Sequence, residues 1–169
     1  RRPKSCAAGA DVRGNRAFQT VRGQVPGMDE AARIADASAV PDDGTLLVTL
    51  QSTDEDEQRE AILTRLADGS VAAWLNYCQH WTDVRLDTGD GAPMRGGEIA
   101  CRRHAATFDR TSGECTFGPC EGAFLNDVDV TVADDAVYLT DESFTFESMG
   151  PAEAHTGDSS TSPGERLGF

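Results

Sequence analysis

Asn76-Tyr77-Cys78-Gln79-His80-Trp81 and, further on, Cys101-Arg102-Arg103-His104 decide how this chain is read. Each stretch offers one thiol and one imidazole within a few positions. Each also follows an apolar run, Val71-Ala72-Ala73-Trp74-Leu75 in the first case and Ile99-Ala100 in the second. The spacing therefore places each Cys and His on a loop that leaves the end of a strand. Two such loops can converge on one metal site.

The surrounding pattern is strand-like. Thr45-Leu46-Leu47-Val48-Thr49-Leu50 follows a turn at Pro41-Asp42-Asp43-Gly44. Ala61 to Leu66 and Val71 to Leu75 flank Ala67-Asp68-Gly69-Ser70, whose Asp-Gly signals a hairpin. Val128 to Val132 alternates apolar and polar, then Asp134-Asp135 leads into Ala136-Val137-Tyr138-Leu139, a second hairpin. The acidic stretch Asp54 to Glu60 reads either as a helical turn or as a loop between strands. Short strands at close spacing, with no long segment of 3.6 period, predict an antiparallel all-β fold.

Composition narrows the function. The chain has 169 residues and a formal net charge of −14, and Lys4 is its sole lysine. A Lys-poor, acid-rich surface suits high salt, where self-repulsion is screened. It argues against nucleic acid as a partner, because phosphate binding needs clustered basic groups. No apolar run approaches the roughly 18 residues of a membrane span. Arg1-Arg2 is followed by no apolar region, so a twin-arginine leader is not expected and the expected location is the cytoplasm. Residues 1–27 carry six basic groups against Asp11, a local +5 that leaves −19 for the rest. They read as a basic flexible arm, residues 28–149 as the domain, and residues 150–169 as a disordered acidic tail rich in Gly, Pro, Ser and Thr. Cys6 in the arm and His155 in the tail are read as incidental.

Two ligand chemistries compete for the Cys-His pairs. Structural zinc sites group like ligands, as Cys-x2–4-Cys and His-x3–5-His. Here both pairs are mixed, and Gln79 alone separates the first Cys from its His. That favours a [2Fe–2S] centre in which two Cys hold one iron and two His the other. Once two of the three histidines are used, a two-His–one-carboxylate iron site is out of reach. No nucleophile or acid–base constellation is evident either, so the chain reads as a component of an oxidoreductase system rather than an enzyme by itself, with no organic substrate.

Residues 74–120 resemble a Rieske ferredoxin or Rieske domain. The stretches that carry the likeness are Asn76 to Trp81, Cys101-Arg102-Arg103-His104-Ala105-Ala106-Thr107-Phe108-Asp109, Thr111-Ser112-Gly113-Glu114-Cys115 and Gly118-Pro119-Cys120. The resemblance implies three stacked antiparallel sheets, a β-sandwich with a small cluster-binding subdomain at one tip (about residues 76–122). It implies one Rieske-type [2Fe–2S] cluster per chain, with Cys78 and Cys101 on the buried iron and His80 and His104 on the outer one. Trp81, Phe108, Gly118 and Pro119 are then expected to shield the cluster, the last two as a proline loop. Cys115 and Cys120 form a candidate disulfide, the alternative being two small buried thiols. Implied partners are redox proteins, a reductase donor and an oxygenase or other acceptor; a small subunit of a nitrite reductase is a related role. Arg102 and Arg103 read either as a patch for an acidic partner or as solvated side chains.

Two departures from the family pattern bear on potential. Residues 81–100 are longer than usual, with Asp87 to Gly91 and Pro93 to Gly97 reading as added loop. Respiratory relatives carry a disulfide between the ligand loops and place Ser and Tyr donors near the cluster. Here neither ligand loop has an extra Cys, and Ala106 and Phe108 take the donor positions. Hydrogen bonds to sulfur stabilise the reduced, more negative state, so their loss predicts a low potential within the family span of roughly −150 to +300 mV. The composition suggests a halophilic archaeon as source.

Overall fold

The computed structural model describes residues 29–152. The arm at 1–27, most of the proposed tail, Cys6 and His155 lie outside the described residues. The chain opens with a 3-10 turn at Glu30–Ala32, then β1 (Arg33–Asp36) and a second 3-10 turn at Ala37–Ala39. Next come β2 (Leu46–Ser52), β3 (Gln58–Arg65) and β4 (Val71–Leu75). Four short strands follow, β5 (Met94–Arg95), β6 (Glu98–Ala100), β7 (Thr107–Phe108) and β8 (Cys115–Phe117). The chain closes with β9 (Val130–Ala133), β10 (Ala136–Leu139) and β11 (Phe144–Met149).

These strands make three antiparallel sheets, ordered β1-β10-β9, β11-β2-β3-β4 and β5-β6-β7-β8. The all-β expectation holds. The middle sheet is covered on both faces, which explains why β2 and β3 read as nearly unbroken apolar runs. Leu47, Ile62 and Trp74 are paired across three strands and face the β5–β8 side, in one core with Leu86, Ile99 and Phe108. Their sequence neighbours Val48, Leu63 and Ala73 point the other way, into a core with Ile34, Val137 and Leu139. A period of two thus divides each strand between two cores.

Turn chemistry sets the hairpins. Gly69 sits at φ +86 in the β3–β4 turn, where Ser70 N–H and hydroxyl both donate to Asp68. Asp134 and Asp135 both take positive φ, as the two-residue turn between β9 and β10 requires. The acidic stretch at 54–57 is the β2–β3 loop, and β3 begins at Gln58, earlier than the apolar run suggested. The second hairpin is shifted: Val128 is buried but precedes the strand, which starts at Val130.

The first residues of the proposed tail differ from expectation. Gly150 N–H donates to Leu47 O at 2.8 Å, and Ala152 N–H donates to Glu60 Oε1 at 3.0 Å. Composition gave no hint of this, because the partners come from β2 and β3, far back in the chain.

Candidate metal centre

The two ligand loops leave strands of different sheets. Cys78 and His80 follow β4, and Cys101 and His104 follow β6. The first loop is held by backbone bonds: Leu75 N–H to Asn126 O, Cys78 N–H to Val84 O and Val84 N–H to Trp81 O, at 2.8 to 3.0 Å. The second is a tight turn closed by Cys101 N–H to Ala106 O at 2.8 Å and Ala105 N–H to Cys101 O at 3.2 Å. Ala105 reverses the chain there at φ 55, a conformation that an alanine rarely adopts.

The loops converge. The sulfurs of Cys78 and Cys101 and a ring nitrogen of His104 lie within 4.8 Å of one another. His104 Nδ1 is 3.9 Å from Cys78 Sγ and 3.7 Å from Cys101 Sγ. His80 falls outside that group of three, but its ring packs edge-on against His104, with centroids 4.6 Å apart. Both thiols are fully buried, His104 is half-buried and His80 is exposed. The site is therefore graded, with sulfur inside and nitrogen outside.

Burial pushes the Cys78 thiol up to about 11, while the N–H groups of His80 and Trp81 that point at its sulfur pull the other way. An uncompensated thiolate is costly here, whereas a bound cation deprotonates a coordinating thiol outright. The wall around the sulfurs is apolar: Leu86, Ile99, Ala106 and Phe108 are all inaccessible to solvent. Two shielded sulfurs, an imidazole nitrogen facing them and a second imidazole at the rim fit a [2Fe–2S] cluster.

The profile of the Rieske [2Fe–2S] domain matches residues 31–134. The chain belongs to the Rieske [2Fe–2S] domain family. It is also 38% identical over 61 residues to the oxidoreductase NdmD of Pseudomonas putida, a stretch that is 36% of this chain and 10% of that protein. This Rieske chain thus matches about a tenth of that relative's length. Among solved structures it is similar to the ferredoxin of carbazole 1,9a-dioxygenase from Nocardioides aromaticivorans IC177. That match has 24% identity and a TM-score of 0.50, covering 65% of this chain and 96% of the other. A reduced complex between oxygenase and ferredoxin in carbazole 1,9a-dioxygenase also matches, at 18% identity and a TM-score of 0.50, over 63% of this chain and 27% of that one. At such identities the likeness is one of fold. A Rieske [2Fe–2S] domain is an electron-transfer module.

The expected shielding residues take different positions. Trp81 stacks on His104, with centroids 5.8 Å apart and planes 10° from parallel, yet remains 54% exposed. Phe108 lies in the core behind the second loop. Gly118 rests on Ala106: a side chain there would start 2.8 Å from the Ala106 Cα, and its φ of +113 also demands glycine. Pro119 is exposed. Cys115 and Cys120 are both buried, unbonded, with sulfurs 2.9 Å apart. Arg102 donates to Gly91 O at 3.2 Å, and both Arg102 and Arg103 are exposed.

Sequence reading missed the support beneath the first loop. Asn76 Nδ2 donates to Glu60 Oε2 and Asp87 O, and its Oδ1 accepts from the N–H groups of Leu86 and Asp87. Asp87, read as part of an added loop, is fully buried. Its carboxylate accepts from the Thr45 hydroxyl at 2.6 Å and from the N–H groups of Gly89 and Gly91. The Asp-Thr-Gly-Asp-Gly run was a turn signal; the partner Thr45 lies too far back in sequence to be paired with it by eye. Trp74, expected in the core, is there, and it presses on Gly113 so closely that any side chain at 113 would begin 2.7 Å from its ring.

Proposed function

We propose that this chain is a low-potential Rieske ferredoxin. Cys78 and Cys101 would hold the buried iron, and His80 and His104 the outer one. It would take one electron at a time from a reductase and pass it to an oxygenase or another redox protein. The observation that carries this reading is the graded site, with two buried thiols and an imidazole nitrogen within 4.8 Å and a second imidazole exposed at the rim. When bound, a Rieske-type cluster supplies a one-electron couple at roughly −150 to +300 mV.

The residues divide the work. Cys78 and Cys101, with Leu86, Ile99 and Phe108 behind them, keep water from the sulfurs. His80 and the edge of His104 bring the site to the surface, where a partner can approach. Trp81 covers one face of the His104 ring and fixes its orientation. Ala106 and Phe108 carry no side-chain donor, which supports a potential low in the range.

The same composition supports the wider setting. A charge of −14 with one lysine fits a cytoplasm of high ionic strength, as in a halophilic archaeon. Among the described residues no helix is long and apolar enough to cross a membrane. The domain limits we assign are 28–149, extended at the C-terminal side by the hydrogen bonds of Gly150 and Ala152, with the ligand end at 76–122.

Low-temperature EPR of the dithionite-reduced protein, folded in high salt, tests the ligand set. A Rieske centre gives an average g below that of four-Cys [2Fe–2S] centres. A colourless protein with stoichiometric zinc would overturn the reading. Protein-film voltammetry tests the potential, and a midpoint well above roughly +150 mV would rule out the low-potential assignment.

A further inference from the structure

Four residues separate Cys115 from Cys120, and both sulfurs are buried at 2.9 Å. The approach is imposed by the backbone. Cys115 N–H donates to Ala123 O, Gly122 N–H to Cys115 O and Ala123 N–H to Cys120 O, at 2.7 to 2.9 Å. These bonds close the loop before any sulfur chemistry occurs, so little chain entropy remains to be lost on joining its ends. Thiols are weak donors and weak acceptors toward one another, so ordinary packing gives small reward for such proximity. Thr116-Phe117-Gly118-Pro119, the segment between the two cysteines, is the segment that lies on Ala106 beside the second ligand loop.

We propose that Cys115 and Cys120 are a disulfide-forming pair that locks the Gly118–Pro119 loop over the ligand end by exchange with a small-molecule disulfide. Cys120 is the entry point, being 9% exposed where Cys115 is inaccessible. Its sulfur attacks one sulfur of the external disulfide, forming a mixed disulfide and releasing one thiol. Cys115 then attacks the Cys120 sulfur, forming the internal bond and releasing the second thiol. Two electrons and the two thiol protons leave the chain, and the external disulfide becomes two thiols. In a reducing compartment the pair rests open, and it closes as the disulfide pool rises. Neither cysteine belongs to the group of three that could hold a metal, so the inference stands apart from the electron-carrier reading.

The test uses the full chain as isolated, in a Cys6→Ser background, equilibrated with oxidised glutathione, quenched in acid and alkylated. Four cysteines remain in that background. Alkylation should fall from four thiols to two, with one peptide cross-linked between Cys115 and Cys120, and dithiothreitol should restore four. Four alkylated thiols, stable glutathione adducts or a link to Cys78 or Cys101 would each overturn the proposal. In Cys115→Ala the reaction should stop at a glutathione adduct on Cys120; no adduct would overturn entry through Cys120. Phe117 is 60% exposed, so chymotrypsin can report on the loop. Cleavage after Phe117 should slow about tenfold on oxidation. An unchanged rate would overturn the locking role.

Discussion

The middle sheet and the ligand end are built on different principles. β2 and β3 run for seven and eight residues and are buried on both faces, so apolar area holds them. β5 to β8 run for two or three residues each, too short to hold a sheet by themselves. The ligand end shares one of those cores through Leu86, Ile99 and Phe108 and relies further on side chains that bind backbone: Asn76 and Asp87 under the first loop, Asp109 under the turn that follows the second. One region is stable because of what it excludes. The other keeps its shape because of what it binds, and a metal is the strongest such tie.

Removing iron should therefore separate the two. With a chelator present under reducing conditions, amide exchange of residues 78–81 and 101–108 should accelerate by about a thousandfold, or about 4 kcal/mol. Exchange in β2 and β3 should barely change. Uniform acceleration throughout the domain would show that the two regions are one cooperative unit and end the distinction.

Two substitutions probe it from opposite sides. Leu63→Ala empties a site in the core between the middle sheet and β1-β10-β9, and should cost about 3 kcal/mol of global stability in denaturant. The visible spectrum of the folded holoprotein should not move. Asn76→Ala strands the N–H groups of Leu86 and Asp87 in a buried loop and should cost about 2 kcal/mol. Here the loss should be local, seen as faster iron release with β2 and β3 still protected. If Asn76→Ala lowers only the global midpoint and leaves iron release unchanged, the network does not serve the first ligand loop.

The same contrast explains what the sequence made legible. Ala61 to Leu66 and Val71 to Leu75 announce themselves because burial on both faces leaves long apolar runs, and Asp68-Gly69 marks their hairpin. The paired Cys and His stand out because few side chains bind iron. β1 and β11 escaped notice: four residues carry little pattern, and β11 alternates with one face exposed. Asp87 is the plainest miss. A carboxylate among glycines reads as a solvated turn, and its burial depends on Thr45, 42 residues earlier. Local pattern records which faces are apolar but not which distant hydroxyl reaches a loop.

Potential can be adjusted from the core wall that faces the sulfurs. Ala106→Ser places a hydroxyl on the buried wall beside Cys101, whose N–H already bonds to Ala106 O. A new donor to sulfur worth about 1 kcal/mol in the reduced state should raise the midpoint by roughly 40 mV. Film voltammetry of the variant checks it, and a lower or unchanged midpoint would place residue 106 outside donor range of the cluster.

The smallest expected effect concerns Asp109, which opens the turn between β7 and β8. Its carboxylate accepts from the N–H of Ser112 at 2.7 Å and of Thr111 at 2.9 Å, and Gly113 N–H donates to its carbonyl at 2.7 Å. The Ser112 bond, helped by Thr111, the Ser112 hydroxyl and Arg110, holds the carboxyl below its ordinary 3.8. A depressed folded value means that the charged form stabilises the fold above the unfolded value. That contribution fades as pH falls through the folded one. Asp109→Ala should therefore cost about 0.5 kcal/mol near neutrality, because the group is largely exposed. Urea midpoints of parent and variant should differ by a constant amount above about pH 5 and converge below it. A gap that persists to the acid limit would mean that the turn depends on the shape of the side chain rather than its charge.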